Sequence, residues 1–355
     1  MVMIKLFSPY IPEGVIANLT KTLSSGCITQ GDKVDEFEKE FSKLFNVRYA
    51  VSMNSGTSAL ETAYDLIGLK EGDEVITTPL TCAATNIPLL ARKVKIVWAD
   101  INERTLCIDA LDIKSKITDK TKAIIQVHLG GVCSNIGVFH IPVVSDACQA
   151  LGIFTGDLTA CSFQAIKHIT TGDGGMLVVN NKEAYQKAKL LRWFGIDREI
   201  ESKNSWESYK TRMMCFDIEM LGYKRHMNDI AATMGLAGLS HYRSIVRHRK
   251  KIFNIYKINL LDLSGIKLID GETNVCWLAT VLVERRDDFA RKLFDAGIET
   301  NLVQVRNDIY KLFGRKREDL PVLNSIEDKY ISIPIGMHVS EEDAHYISET
   351  IKGGW

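Results

Sequence analysis

The apolar positions change their period along the chain. In KVDEFEKEFSKLF they fall at Val34, Phe37, Phe41 and Phe45, the spacing of one helix face, and VIANLTKTL before it reads the same way. Short apolar runs bounded by turn residues then take over: RYAVSMNS, DEVITTPL, VKIVWADI, TKAIIQVHL, IPVVSDA, TACSFQA and GGMLVVN. They read as strands. SALETAYDLIGL between them reads as a helix, and AATNIPLLARK and ALDIKSKI as helical or loop segments. Strands alternating with helices predict an α/β architecture with a largely parallel sheet.

The pattern shifts after Lys182. A helix, EAYQKAKLLRWFG, leads into a polar, aromatic-containing stretch at 200–220. The segment DIAATMGLAGLSHYRSIVRHRKKIFNIYKINLL is a long helix expected to be broken or bent. CWLATVLVE, DDFARKLFDAG, IETNLV and KYISIPI then suggest a small α+β unit. The expected division is a large domain over 1–244 and a smaller one over 245–355, joined by a helix. No repeat, low-complexity tract or Pro/Gly-rich linker interrupts the chain.

A length of 355 residues suits two domains. Lys plus Arg equals Asp plus Glu at 44 each, which removes the basic excess that nucleic-acid or membrane-surface binding calls for. The one basic cluster, RSIVRHRKK from Arg243 to Lys251, reads as the solvated face of a helix. Eight cysteines include no CxxC pair, so neither a zinc ribbon nor a thioredoxin-like motif is expected, and no metal site. Cys148 and Cys161 read as small buried apolar residues. The start, MVMIKLFSPYIPEG, lacks the apolar stretch of a signal peptide, and no later run approaches a membrane span. A reducing cytoplasm is the expected location.

Four segments carry candidate chemistry. Asn54-Ser55-Gly56-Thr57-Ser58-Ala59-Leu60 is a small-residue turn between a strand and a helix. Its backbone N–H groups and helix dipole suit a phosphate, although taken alone the pattern is more often plain N-capping. Val143-Val144-Ser145-Asp146 ends a strand in a lone carboxylate, with Gln149 in the turn beyond. That is where parallel sheets place ligands, and a carboxylate there can keep a pyridine nitrogen protonated or simply cap a helix. Lys167 lies between a strand and the Gly-rich turn Thr171-Gly172-Asp173-Gly174-Gly175, with apolar or small flanks able to desolvate its amine and suit it to Schiff-base chemistry. In Gly222-Tyr223-Lys224-Arg225-His226-Met227-Asn228-Asp229, Asn228 or Asp229 reads as a helix cap, and Lys224 as a possible phosphate contact.

In the order GCITQGDKVDEFEKEF, NSGTSAL, SDACQALG, SFQAIKHITTGDGGM, GYKRHMNDIAA and SIPIGMHVSEEDAHYI, the chain resembles the DegT-type sugar aminotransferases. These belong to the aspartate-aminotransferase superfamily (fold type I), and the resemblance runs from about residue 8 to 350. It implies the PLP-dependent transferase fold: a large α/β domain with a mainly parallel central sheet, and a smaller C-terminal α+β domain. It also implies pyridoxal 5'-phosphate as cofactor, attached to Lys167, which moves protons in catalysis. Asp146 would pair with the pyridine nitrogen, Gln149 would lie by the ring hydroxyl, and Gly56, Thr57 and Ser162 would bind the phosphate. Family sites are shared between two subunits, so a homodimer is implied, with Lys224 reaching the partner's cofactor phosphate.

The chain departs from the family pattern at several points. Gln164 stands where the family has His, Lys224 where it has Asn, and Cys82 where an aromatic stacks on the cofactor. Arg192-Trp193-Phe194-Gly195 replaces Arg-x-His-Gly, and residues 302–308, LVQVRND, replace a His-Pro-rich loop. The implied reaction is amination of a nucleotide-linked 4-keto-6-deoxy sugar with glutamate as donor. Met227 and Asp229 sit as in members that act at C4. Amination of a 3-keto sugar is an alternative. Another is the related sugar dehydratases, which carry His in place of the lysine, and His168 adjoins Lys167. A non-catalytic regulator and a cofactor-free α/β binding protein complete the alternatives.

Overall fold

The computed structural model describes residues 3–197, 218 and 220–355. Cys215 and nearly all of the 200–220 stretch lie outside the described residues. Seven strands form the central sheet: β1 (Tyr49–Met53), β2 (Glu74–Thr77), β3 (Lys95–Trp98), β4 (Thr121–Val127), β5 (Val143–Asp146), β6 (Leu158–Ser162) and β7 (Gly175–Val179). Their order is β1-β7-β6-β5-β4-β2-β3. Only β7 runs against its neighbours, so the sheet is mainly parallel.

Register decides what meets at the sheet's edge. Asp146 pairs with Ala160, Ser162 with Gly175, and Gly175 with Met53. The carboxyl ends of β1, β5 and β6 therefore line up, the edge at which open α/β sheets hold ligands. Both faces are covered, as near-continuous apolar strands require. Along β7, Met176 and Val178 pack with Phe37, Phe41 and Phe163, while Leu177 and Val179 pack with Leu60 and Tyr64 on the other side.

Helix α1 (Val15–Ser24) precedes α2 (Asp32–Phe45), which buries Val34, Phe37 and Phe41 as their spacing predicts. Burial of each such side chain contributes about 1.5–3 kcal/mol. The further helices are α3 (Gly56–Leu66), α4 (Ala83–Ala91), α5 (Ala110–Lys116), α6 (Lys182–Arg192) and α7 (Asp229–Leu260). Both AATNIPLLARK and ALDIKSKI thus supply helices. The expected break in the long helix is absent: α7 runs through 32 residues, about 48 Å at 1.5 Å per residue. Asn228 caps it, accepting from the Ala231 N–H at 2.8 Å. Asp229 instead caps α2, accepting from the Gly31 and Val34 N–H groups at 2.8 and 3.1 Å.

The basic cluster on α7 is only partly a solvated face. Helical periodicity turns Ile245, Arg249, Ile252, Phe253 and Tyr256 inward. Buried Arg249 donates to the carbonyls of Trp277 and Ile335 at 3.1 and 3.3 Å, and burial lowers its pKa to about 10. Past α7 a three-stranded antiparallel sheet, β8 (Ile266–Leu268), β9 (Ala279–Val283) and β10 (Tyr330–Ile333), has β9 at its centre. Helices α8 (Arg286–Asp295), α9 (Pro321–Ile326) and α10 (Glu341–Lys352) follow the chain order around it. Ile252 and Tyr256 of α7 share a core with Val281, Phe289, Ile331 and Ile347 of this part. No helix of the described residues is long and apolar enough to cross a membrane.

Candidate active site

The turn after β1 is built for an anion. Ser55 caps α3, its hydroxyl accepting from the Ser58 N–H at 3.0 Å. The N–H groups of Gly56 and Thr57, in the first helical turn, have no carbonyl a turn earlier to bond. With the helix dipole behind them they favour negative charge. Two glycines make the geometry possible. A Cβ on Gly56 would lie 2.8 Å from Ser162 Cβ and 2.9 Å from Cys148 Sγ, and one on Gly175 would lie 2.3 Å from the Ser55 carbonyl oxygen. The turn therefore rests directly on β7, against the end of β6.

Asp146 stands at the end of β5, buried. Its Oδ2 accepts from Thr85 Oγ1 at 2.7 Å and its Oδ1 from the Cys148 N–H at 3.0 Å. Thr85 is itself paired with Thr81 Oγ1 at 2.9 Å, and its carbonyl accepts from Tyr64 Oη at 2.8 Å. These bonds use about half of the carboxylate's accepting capacity. Gln149 is anchored by its carbonyl, which accepts from the Gly130 N–H at 2.9 Å, and its NH2 is the remaining hydrogen-bonding end. Cys148 is more than core filler: its thiol lies against Gly56, in the middle of this group.

Lys167 is held in the loop between β6 and β7, its N–H bonded to the Gln164 carbonyl at 2.9 Å. Its Nζ sits 3.7 Å from the centroid of the Trp277 ring. Burial pushes the amine's pKa below the ordinary lysine value, with Cys148, Cys82 and Asp146 acting in the opposite direction. The result favours a neutral, nucleophilic amine. His168 goes elsewhere. It is buried, bonded through Nε2 to the Val275 carbonyl at 2.8 Å, and its pKa is pushed down to about 3 by desolvation.

The remaining candidates are distributed less tightly. Ser162 joins the group, its Oγ accepting from the Gln164 N–H at 3.3 Å. Lys224 abuts the anion turn only through its backbone: its carbonyl accepts from Asn54 Nδ2 at 3.3 Å, while its exposed amine lies 5.9 Å from the Trp193 ring centroid. Gln164 and Phe194 are exposed, and Cys82 is exposed at the start of α4. Met227 is buried in the core and Asp229 caps α2. Thr85 and Trp277 had no sequence signal as site components, and Asn307 was marked only as part of the 302–308 segment. Asn307 donates to the Thr81 carbonyl at 2.8 Å and so ties residues 302–308 to the start of α4. Beside it, Arg306 and Asp308 form a buried ion pair at 2.6 Å.

A lowered-pKa amine, an oriented carboxylate and a helix start from which Cβ atoms are excluded form a set that fits pyridoxal phosphate. The chain belongs to the DegT/DnrJ/EryC1/StrS aminotransferase family, whose profile matches residues 9–352. It is therefore an aminotransferase of the kind that acts in sugar and polysaccharide biosynthesis. The spore coat polysaccharide biosynthesis protein SpsC of Bacillus subtilis is 31% identical, over 97% of this chain and 95% of its own. A UDP-4-amino-4,6-dideoxy-N-acetyl-beta-L-altrosamine transaminase of Campylobacter jejuni is 30% identical, over 96% and 94%. Among solved structures, AtS13 of Actinomadura melliaura superposes with a TM-score of 0.92 at 32% identity, covering 100% of both chains. The sugar aminotransferase CalS13 of Micromonospora echinospora gives 0.91 at 30%, over 99% and 100%. Spr1654 of Streptococcus pneumoniae, solved in a PLP form, gives 0.88 at 28%, over 99% and 98%.

Proposed function

We propose that this protein is a pyridoxal-5'-phosphate-dependent aminotransferase that replaces the 4-keto group of a nucleotide-linked 6-deoxy sugar with an amine, using glutamate as donor. One observation carries the reading: the Lys167 amine, the Asp146 carboxylate and the amino end of α3 converge around Cys148 and Ser162. The name of the Campylobacter relative, a transaminase of a UDP-linked 4-amino-4,6-dideoxy sugar, supports the substrate class and C4.

Gly56, Thr57 and Ser162 bind the phosphate, and Gln149 lies by the ring hydroxyl. Asp146, fixed by Thr85 and the Cys148 N–H, holds a proton on the pyridine nitrogen. When bound, the cofactor supplies an electron sink for the charge that develops at the amino carbon. Lys167 is the point of attachment. Once freed, its Nζ would accept a proton from the amino carbon of the donor and return it within that half-reaction, and in the opposite half-reaction would give a proton to the sugar carbon that gains the amine. The lowered pKa of Lys167 suits both tasks at neutral pH. We assign the cofactor to a large domain over 1–244, completed by a smaller domain over 245–355. The active unit is a cytoplasmic homodimer in which Lys224 reaches the phosphate bound by the partner.

The test is a panel of nucleotide-linked keto sugars incubated with nitrogen-labelled glutamate, with product mass and label position read out. Label at sugar C4 supports the proposal, and label at C3 moves the reaction to the neighbouring carbon. Unlabelled deoxygenated sugar with free ammonia overturns aminotransfer. Borohydride reduction and peptide mapping should place the cofactor on Lys167 and on no other lysine.

A further inference from the structure

The lysine's closest aromatic neighbour comes from the part of the chain beyond α7. Trp277 is fully buried and its Nε1–H donates to the Ile166 carbonyl at 2.9 Å, next to Lys167. Phe7 stacks on the same ring at 5.8 Å between centroids, and Arg249 binds the Trp277 carbonyl at 3.1 Å. The ring therefore has little freedom to turn. The flanking backbone is equally fixed: Val275 N–H bonds Gly131 and Leu278 N–H bonds Gly130, the residue whose own N–H holds Gln149. His168 bonds the Val275 carbonyl. One short segment, 275–278, thus anchors both neighbours of Lys167 and one wall of the ring-binding shelf.

We propose that Trp277 is a positioning residue for Lys167: its ring face receives the amine whenever the amine is not covalently engaged, and keeps it aimed at the site. A lysine freed from its bond is a flexible four-carbon arm with considerable rotamer freedom. An ammonium over an indole face is held by attraction to the ring quadrupole, strongest where water is excluded. At 3.7 Å from the centroid, Nζ lies well inside the range of that attraction. Desolvation alone drives the amine towards neutrality. Cys148, Cys82 and Asp146 act against that shift, and the attraction of an ammonium to the Trp277 face, 3.7 Å from Nζ, adds to their effect. The ring therefore keeps the amine protonatable as well as in place, which a group that must accept and return a proton requires.

The functional consequence rests on the reading of Lys167 as the cofactor-bearing lysine, but the contact is testable without cofactor. In the cofactor-free protein, the pH midpoint of Lys167 reductive methylation is measured by peptide mass. The protein carries tryptophan of increasing ring fluorination, which weakens the quadrupole and leaves shape nearly unchanged. The expected result is a midpoint that falls progressively, by about 0.4–1.5 pH units from the natural to the tetrafluorinated ring. The same series in Trp277→Phe should be flat, which localises the effect to this residue among five tryptophans. A midpoint that ignores fluorination in folded protein overturns the proposal. So does an equal fluorination response in the Trp277→Phe series. A borohydride label on another lysine would overturn the function proposed above and leave this titration result standing.

Discussion

Replacing Gly56 with alanine adds one methyl group at the most crowded point of the site. That methyl would sit 2.8 Å from Ser162 Cβ and 2.9 Å from Cys148 Sγ. Carbon atoms in contact ordinarily keep about 3.5–4.0 Å, so both approaches are short by about 0.6–1.2 Å. Ser162 Cβ is fixed to the β6 backbone and cannot rotate away. The Cys148 thiol is a side-chain end that can give way, so the Ser162 contact sets the cost. The first turn of α3 must therefore lift, at about 1–3 kcal/mol for overpacking, partly offset by up to about 1 kcal/mol of better helix propensity. Lifting the turn also draws the Gly56 and Thr57 N–H groups off a bound phosphate. Hydrogen bonds to a charged group are worth about 1.5–3 kcal/mol each, so a partial loss predicts cofactor binding weakened about tenfold or more. Urea unfolding of the cofactor-free protein and a cofactor titration measure the two effects separately. Adding Ser162→Gly removes the opposing Cβ and should return about 1 kcal/mol or more of the lost stability. Strictly additive stability changes, or Gly56→Ala with native stability and affinity, would refute the crowding argument.

Thr85→Val keeps the side-chain volume but strips Asp146 Oδ2 of its hydroxyl donor, and should cost about 1.5–3 kcal/mol of stability in urea unfolding. Asp146→Asn should remain folded and lose most transamination; near-normal turnover would show that Asp146 only caps. His128, buried against Ser145 Oγ at 2.8 Å, and His168 are both held near pKa 3 by burial, against an unfolded value of about 6.5. Between those limits the unfolded chain binds more protons, so stability is full above about pH 6.5 and falls as pH drops towards 3. The slope is at most about 1.4 kcal/mol per pH unit for each histidine. Urea midpoints at pH 7 and 4.5 should converge in His128→Asn, and an unchanged slope would show that His128 is not held neutral. Lys167→Ala and Lys224→Ala proteins, allowed to exchange subunits, should partly recover activity, because one site of each mixed dimer carries neither lesion. No recovery after proven exchange removes Lys224 from the shared site.

The parts of the site legible in the sequence are those whose logic is local. NSGTSAL, SDACQ and the Lys167 loop each join a strand end to a turn, and strand, turn and helix signals all fall within a dozen residues. Thr85 acts on a carboxylate 61 positions away, Trp277 bonds Ile166 across 111, and Asn307 reaches Thr81 across 226. No short-range pattern encodes such pairings. The errors have the same origin. Charge density around Arg249 marks a basic helix but not which of its residues turns inward. The expected break in α7 does not occur at its glycines: Gly235 and Gly238 sit where a Cβ would press to 2.6 Å on Phe37 and 2.8 Å on Ile169. Close packing there outweighs the helix propensity that glycine lacks.

The cap that Asp229 places on α2 bears on how the chain emerges from a ribosome. Helix α2 finishes at residue 45, but its capping carboxylate, and the α7 surface against Phe37, are made about 180 residues later. At the usual 5–20 residues per second that is a wait of about 10–40 s. Strand β1 also lacks its partner β7 until residue 179 has been added. For most of synthesis the first fifty residues therefore carry Phe37 and Phe41 with no finished surface to bury them. They form a nascent segment suited to a holding chaperone, covered on one side by Phe163, Met176 and Val178 once β7 is made and on the other only when α7 follows.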